Sequence, residues 1–339
     1  KNYFIKVKKN IIPDNLKEDK LKQLLKSIKK SGKNKKYDCV IGVSGGVDSS
    51  YVVLLAKNLG LRALLVHMDN GWNSEISVQN IKKLSKNTGF DLYTYVLNWN
   101  EFRDIQISLF KASVVDIELA TDHAIKAVLY KIAMKFNIKF LLDGGNIQTE
   151  CIMPSSWRHT KEDRSNLVNI HKKFGQIKLN TFPLAGVVKR QFYKSIFGIK
   201  FIPFLNYFKF NRLKVIQRLK QELDWFEYGG KHHESVFTRF YQGYILPKKF
   251  KIDKRRSHLS NLICSGSITR EDALLEISKT PYNEEKMNKD KIFVLKKLGF
   301  DEKFFSNYLK LPEIYHQNYK NDVKLINILL NIRNFLFQK

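Results

Sequence analysis

The chain has 339 residues, enough to bury a proper core and to hold two domains. Its 43% hydrophobic content and 7 prolines fit a globular protein, and no run of about 18 or more apolar residues marks a membrane span; no signal peptide is visible. The net charge of +28 raises nucleic acid as a partner, but 48 Lys against 12 Arg argues against it, because Arg is the side chain suited to bidentate phosphate and base recognition.

Three widely spaced cysteines, Cys39, Cys151 and Cys264, form no C-x-x-C pair. They support neither a disulfide framework nor a local zinc knuckle, and a reducing cytoplasm is the simple setting.

In chain order, residues 13–31 read as a Lys-rich amphipathic helix, closing an N-terminal helical segment over 1–35. From residue 37 strand and helix patterns alternate. Strands are predicted at 37–43, 62–68, 91–97 and 138–142, with helices at 48–59, 74–87, 99–111 and 116–136. This alternation over 36–160 predicts an α/β domain, a doubly wound parallel sheet with helices on both faces. After about residue 160 the pattern changes. No acidic residue occurs between Arg164 and Gln221, and Phe192, Tyr193, Phe197, Phe201, Phe204, Tyr207, Phe208 and Phe210 stand among lysines. Such interleaving fits RNA binding, a membrane-surface segment, a partner groove, or an aromatic core with solvated lysines. Helical periodicity returns from about 211, with helices at 270–280, 284–298 and 322–337, so 161–339 reads as a basic, aromatic segment followed by a mainly helical region.

The most informative string is Ser44-Gly45-Gly46-Val47-Asp48-Ser49-Ser50, directly after the apolar run Tyr37–Val43. A buried strand that ends in a glycine pair and then starts a helix makes a phosphate cradle. The first N–H groups of the helix lack intrahelical partners, and the dipole favours an anion there. Gly45 and Gly46 let the backbone close around the phosphate, and Ser44, Ser49 and Ser50 add hydroxyls. Asp48 either orients a Mg²⁺ ion between itself and the phosphates or caps the helix. The string lacks the Gly-Lys-Ser/Thr of a Walker A loop and the G-x-G-x-x-G dinucleotide fingerprint. Asp69-Asn70-Gly71-Trp72 and Asp143-Gly144-Gly145-Asn146 also follow strand ends, so all three motifs are expected at one pocket.

Ser44–Ser49 resembles the PP-loop of ATP pyrophosphatases, which include asparagine, NAD and GMP synthetases and tRNA thiolases, with an adenine nucleotide alpha-hydrolase-like sheet. Further strings are Tyr228-Gly229-Gly230-Lys231-His232-His233-Glu234-Ser235, Phe237–Gln242, Asp253–Leu259 and Ser265–Glu271. With them the chain, over about 15–310, resembles the N-acetyl sugar amidotransferases of bacterial surface-polysaccharide and flagellar-sugar synthesis.

The resemblance implies ATP and Mg²⁺, with Ser44, Gly45, Gly46, Val47, Ser49 and Ser50 on the pyrophosphate, Asp48 at the metal, and His67, Met68, Asp69, Gly144 and Gly145 beside the nucleotide. Lys231, His232, Arg239, Lys254 and Arg255 would supply catalytic cations; His232 would alternatively deprotonate ammonium, oriented by Glu234. The surface pair His232–His233 and a charged helix face at Asp253–Arg256 are the plain alternatives. The implied reaction adenylylates an acetamido oxygen of a nucleotide sugar, and ammonia then displaces AMP to leave an acetamidine. No glutaminase site is recognisable in this chain. The implied partner is a separate glutaminase, like the amidotransferase and barrel-synthase pair of histidine biosynthesis. Relatives often carry an N-terminal cysteine-rich zinc knuckle; here Cys39 is the first cysteine, and no cluster in this chain supports zinc. A peripheral contact with the inner membrane face is a further expectation. The rival readings are a tRNA-modifying PP-loop enzyme, a thiolase or a lysidine-type ligase, and a non-enzymatic nucleotide-binding module of a glycan assembly complex.

Overall fold

A five-stranded parallel sheet organises the molecule, in the order β3-β2-β1-β4-β5. The structure is a computed structural model and describes residues 11–228 and 234–337. Helix α1 (Asp14–Gly32) precedes β1 (Cys39–Gly42), followed by α2 (Val47–Asn58), β2 (Ala63–Asp69), α3 (Glu75–Thr88) and β3 (Asp91–Val96). The chain then returns through α4 (Trp99–Lys111) and α5 (Leu119–Lys135) to β4 (Phe140–Asp143) on the other side of β1. This reversal makes a switch point between β1 and β4, where open sheets of this kind bind ligands beyond the carboxyl ends of their strands.

The apolar runs explain the sheet. Along β1, Val40 packs into a core on one face with α4 and α5, while Cys39 and Ile41 pack into a core on the other with α2 and α3. A strand covered on both faces reads as a near-continuous apolar run, as β1 does throughout and β2 does from Ala63 to Val66. The four expected strands and the helices around them appear within a few residues of their predicted bounds.

The fifth strand was not expected. After α6 (Arg164–Phe174) and α7 (Val187–Ser195), β5 (Lys200–Pro203) pairs with β4 at the sheet edge. It is four residues, half-exposed, and ends in proline, so its sequence carries no alternation long enough to read; proline is tolerated there because an edge strand needs ladder bonds on one side alone. Helix α8 (Arg212–Leu223) then packs on the α2–α3 face through Val215, Ile216, Leu219 and Leu223.

The remaining helices cover the opposite face. Helix α9 (Val236–Phe240) passes through a π turn (Tyr241–Ile245) into α10 (Leu246–Phe250). After these come α11 (Lys254–Cys264), α12 (Arg270–Ser278), α13 (Glu284–Leu298), α14 (Glu302–Lys310) and α15 (Val323–Phe337). Phe237 and Phe240, with Phe305 and Tyr308 of α14, extend the core built by α4 and α5. No described helix is long and apolar enough to cross a membrane.

Candidate functional site

The turn from β1 into α2 is fixed by its glycines and by its neighbours. Gly45 has φ of +76°, and a Cβ there would fall 2.5 Å from the carbonyl oxygen of Ser77, so no other residue fits. Both loop carbonyls are held from behind. Ser77 Oγ donates to Ser44 O at 3.1 Å, and Trp225 Nε1 and Asn80 Nδ2 donate to Gly45 O at 3.0 and 3.3 Å. In front, Ser44, Gly46, Val47, Asp48 and Ser49 line a small cavity. Gly46 caps α2 without a side chain, so the first helical N–H groups receive no local cap. The Ser44 and Ser49 hydroxyls stand 3.4 Å apart. Ser50 departs from the expectation: it is fully buried behind the loop, does not line the cavity, and its Oγ has no partner among the described residues.

The corner is tight. Tyr228 and Glu234 close it from the far side. Val47 N–H donates to Tyr228 Oη at 3.2 Å, and the Glu234 carboxylate would lie 3.3 Å from a Cβ on Gly46. The open volume is about 50 Å³, room for roughly two waters at ~30 Å³ each. Burial, with Glu234 and Asp48 nearby, pushes the Tyr228 hydroxyl far above its ordinary range, so it stays neutral. The donors suit an anion, and two carboxylates, Asp48 and Glu234, face the same space and suit a divalent cation. As it stands, Tyr228 and Glu234 leave the corner too small for a triphosphate tail. Among the described residues no group of three or more His, Cys, Asp or Glu stands close enough to hold a metal by itself.

Of the other two strand-end motifs, no residue of Asp69–Trp72 or Asp143–Asn146 lines this loop cavity, which corrects the expectation that all three meet at one pocket. A Cβ on Gly144 would touch the backbone and Cβ of Asp48 at 3.0 Å, so the end of β4 lies against the first turn of α2. Gly145 N–H donates to Asp143 Oδ1 at 2.5 Å. His67 spends both ring nitrogens on structure: Nδ1 lies 3.1 Å from Val43 O and Nε2 3.2 Å from Asn73 Nδ2. Burial lowers its pKa, so it is a neutral brace. Asp69 accepts from Gly71 N–H and Asn73 Nδ2, and Met68 is buried in the core. None of these three side chains lines the loop cavity.

The loop after β2 also docks the C-terminal helices. Val236 N–H donates to Trp72 O, Ser74 N–H donates to Glu234 O, and the Trp72 and Phe237 rings stand 5.2 Å apart. This docking brings a second cavity, of about 540 Å³, beside the loop. Its cationic lining is Arg158, Arg212, Arg239, Lys254 and Arg255; Glu150, Asp253, His258 and Glu276 stand among them. Arg212 lines both cavities and therefore forms their shared wall.

The predicted cations divide. Arg239 forms a buried two-point ion pair with Asp290, at 2.7 and 2.8 Å, and ties α9 to α13. Arg255 grips Asp253 and the carbonyls of Glu276 and Lys279 at the end of α12. Both line the cavity, as expected of cations that serve a ligand, yet each is also paired with a carboxylate. Lys254 also lines it, 4.0 Å from Glu118 and 5.4 Å from the Tyr241 ring centroid. Burial raises the pKa of Glu118, which sits behind the cavity and accepts from Gln242 Nε2 at 3.2 Å. Lys231 and His232 lie outside the described residues. Arg212, Arg158 and Tyr228 were assigned no role from the sequence. Arg212 belongs to no string near the loop, and its proximity arises only when α8 packs on α2.

A model of the NAD synthase family matches residues 17–199, and a model described as LPS biosynthesis protein WbpG-like, C-terminal domain, matches residues 234–333. No curated protein matches the chain. Similar solved structures include NMN synthetase from Francisella tularensis, at 15% identity over 83% of this chain and 95% of that one, with a TM-score of 0.37. The NH3-dependent NAD synthetase from Campylobacter jejuni subsp. jejuni NCTC 11168 matches at 13% identity over 88% and 98%, with a TM-score of 0.35. A predicted subunit of tRNA methyltransferase from Methanocaldococcus jannaschii DSM matches at 18% over 66% and 90%, with a TM-score of 0.32. These structural likenesses are too loose to carry a conclusion. The sequence matches do carry one: with a NAD synthase match over more than half its length and a WbpG-like domain after it, the chain belongs to the PP-loop ATP pyrophosphatases, in an N-acetyl sugar amidotransferase-like family.

Proposed function

We propose that this PP-loop, ATP-utilising enzyme converts an N-acetyl group of a nucleotide sugar into an acetamidino group in lipopolysaccharide, capsule or flagellin glycan synthesis. ATP would activate the acetamido oxygen as an adenylate, and ammonia would displace AMP; the need is physical, since an amide oxygen is a poor leaving group. The observation that carries this reading is the shared wall at Arg212, between the loop corner and a cavity largely built by the WbpG-like segment. A guanidinium there faces charge on both sides of the reacting centre and would stabilise it as it develops.

In this reading Ser44, Ser49 and the first N–H groups of α2 hold the phosphates, and Asp48 with Glu234 holds Mg²⁺. Lys254 and Arg158 orient the anionic acceptor, while Arg239 and Arg255 keep the cavity walls in place. A separate glutaminase subunit would supply ammonia. Cys39 is no candidate for that role, because it is buried in β1 and burial pushes its thiol far up.

The test incubates the protein with ATP, Mg²⁺, ammonium and a panel of nucleotide sugars, and reads the products by mass spectrometry. AMP, pyrophosphate and a sugar with NH in place of its acetamido oxygen are expected. Pyrophosphate release without nitrogen incorporation from any sugar would refute the acceptor assignment.

A further inference from the structure

Helix α7 is built inside out. Its inward face carries a charged residue, Arg190, which is buried, donates to Ala185 O at 2.6 Å and pairs with Glu162 at 2.9 Å. Its outward face carries Val188, Phe192 and Ile196, which are 65%, 50% and 67% exposed and lie at i, i+4 and i+8 on one stripe. Phe197 continues the stripe, with its ring 5.4 Å from that of Phe192. Around it stand exposed lysines: Lys189 on the helix, Lys200 at the start of β5, and Lys139, which approaches Gly198 just past the stripe. The 164–221 stretch that contains α7 has no acidic residue.

We infer that this face docks on an anionic lipid surface. A helix that turns bulky apolar side chains outward, flanked by lysines, matches a bilayer interface, where the rings enter the headgroup boundary and the lysines meet lipid phosphates. A protein partner is the weaker match, since protein interfaces deplete Lys in favour of Arg. Lys139 and Lys200 mark the amino ends of β4 and β5, whereas the cavities follow the carboxyl ends of the strands. Docking here leaves the reaction cavity open to soluble substrates.

The full-length chain is sedimented with vesicles of phosphatidylcholine and phosphatidylglycerol in roughly equal parts, and with phosphatidylcholine alone. Binding to the anionic vesicles alone is expected, and the double variant Phe192→Ser/Ile196→Ser should lose it about tenfold or more with an unchanged melting temperature. Leu275→Ser, an exposed apolar residue on α12, serves as control and should bind normally. Absence of binding, or binding that the double variant leaves intact, overturns the assignment. So does a dimer in sedimentation velocity that dissolves in the double variant without any vesicle binding.

Discussion

The loop corner and the cavity beside it are held by different means. The corner is made by backbone: a left-handed glycine, two carbonyls tied back by Ser77, Asn80 and Trp225, and a helix start without a local cap. The cavity is made by long side chains from segments far apart in sequence, and two of its cations, Arg239 and Arg255, are pinned by carboxylates. The backbone site therefore presents one chemistry, anion binding at a helix start, whatever surrounds it. The side-chain site is set by contacts between distant segments, such as Arg239 with Asp290. A family that keeps its nucleotide and changes its acceptor would be expected to divide its labour in this way.

The comparison breaks first at Asp48. Asp48→Ala should cut pyrophosphate release by roughly two to three orders of magnitude, as loss of charge stabilisation at a transition state does. Unchanged turnover in a malachite-green assay coupled to inorganic pyrophosphatase would remove its role at the metal. Next come the two arginines. Arg239→Met strands buried Asp290 and should cost about 3 kcal/mol of stability in urea unfolding. Arg212→Met should leave stability alone and lower kcat/KM, because the structure gives it a wall position between the cavities rather than a core partner. Equal stability losses would dissolve the distinction between wall and site. Third, Gly45→Ala meets both a left-handed φ and the Ser77 carbonyl and should cost about 2 kcal/mol or more. Gly89→Ala has a similar φ but open space around it, so the strain alone, about 1 kcal/mol, is expected. Thermal melts of the two variants separate strain from clash.

A smaller effect is set by pH. His123 Nδ1 lies 2.9 Å from Lys161 O, while its Nε2 accepts from Ala185 N–H; this arrangement requires a neutral ring. Burial, reinforced by Arg190, lowers its pKa to about 4. His316 is likewise held down to about 3 by burial and by the stacked His159 ring. Below pH 6.5 the unfolded chain binds protons that the folded chain refuses, so stability should fall as pH drops from 6.5 toward these values. The slope is roughly 1 kcal/mol per pH unit for each histidine. His123→Gln should flatten that slope in urea melts between neutral and mildly acid pH. Smallest of all, Tyr228→Phe removes the hydroxyl that occupies Val47 N–H and should tighten ATP binding a few-fold by calorimetry; weaker binding would mean that the hydroxyl itself contacts the nucleotide.

Some of the molecule could be read directly. Val40 and Ile41 announce a strand because both are apolar and the run is short, and the Gly45-Gly46 pair directly after it announces a turn, which the structure meets with a φ of +76° at Gly45. β5 escaped because four residues ending in proline hold no period, and its pairing with β4 lies in the partner strand rather than in itself. Ser50 escaped for a related reason: the string shows a hydroxyl one position past Ser49, but the helical turn rotates it inward.

What the chain by itself determined was therefore local: the alternation of strand and helix, the glycine turn, and the helix start that follows it. These rest on periodicity and φ constraints carried within a few residues. Folding alone decided the rest. It set Tyr228 and Glu234 against a loop some 180 residues earlier, placed Arg212 between two cavities, and gave Arg239 and Arg255 to carboxylates before any ligand arrives. A charged side chain's partner is chosen by which distant segments come together, and no short stretch of sequence contains that information.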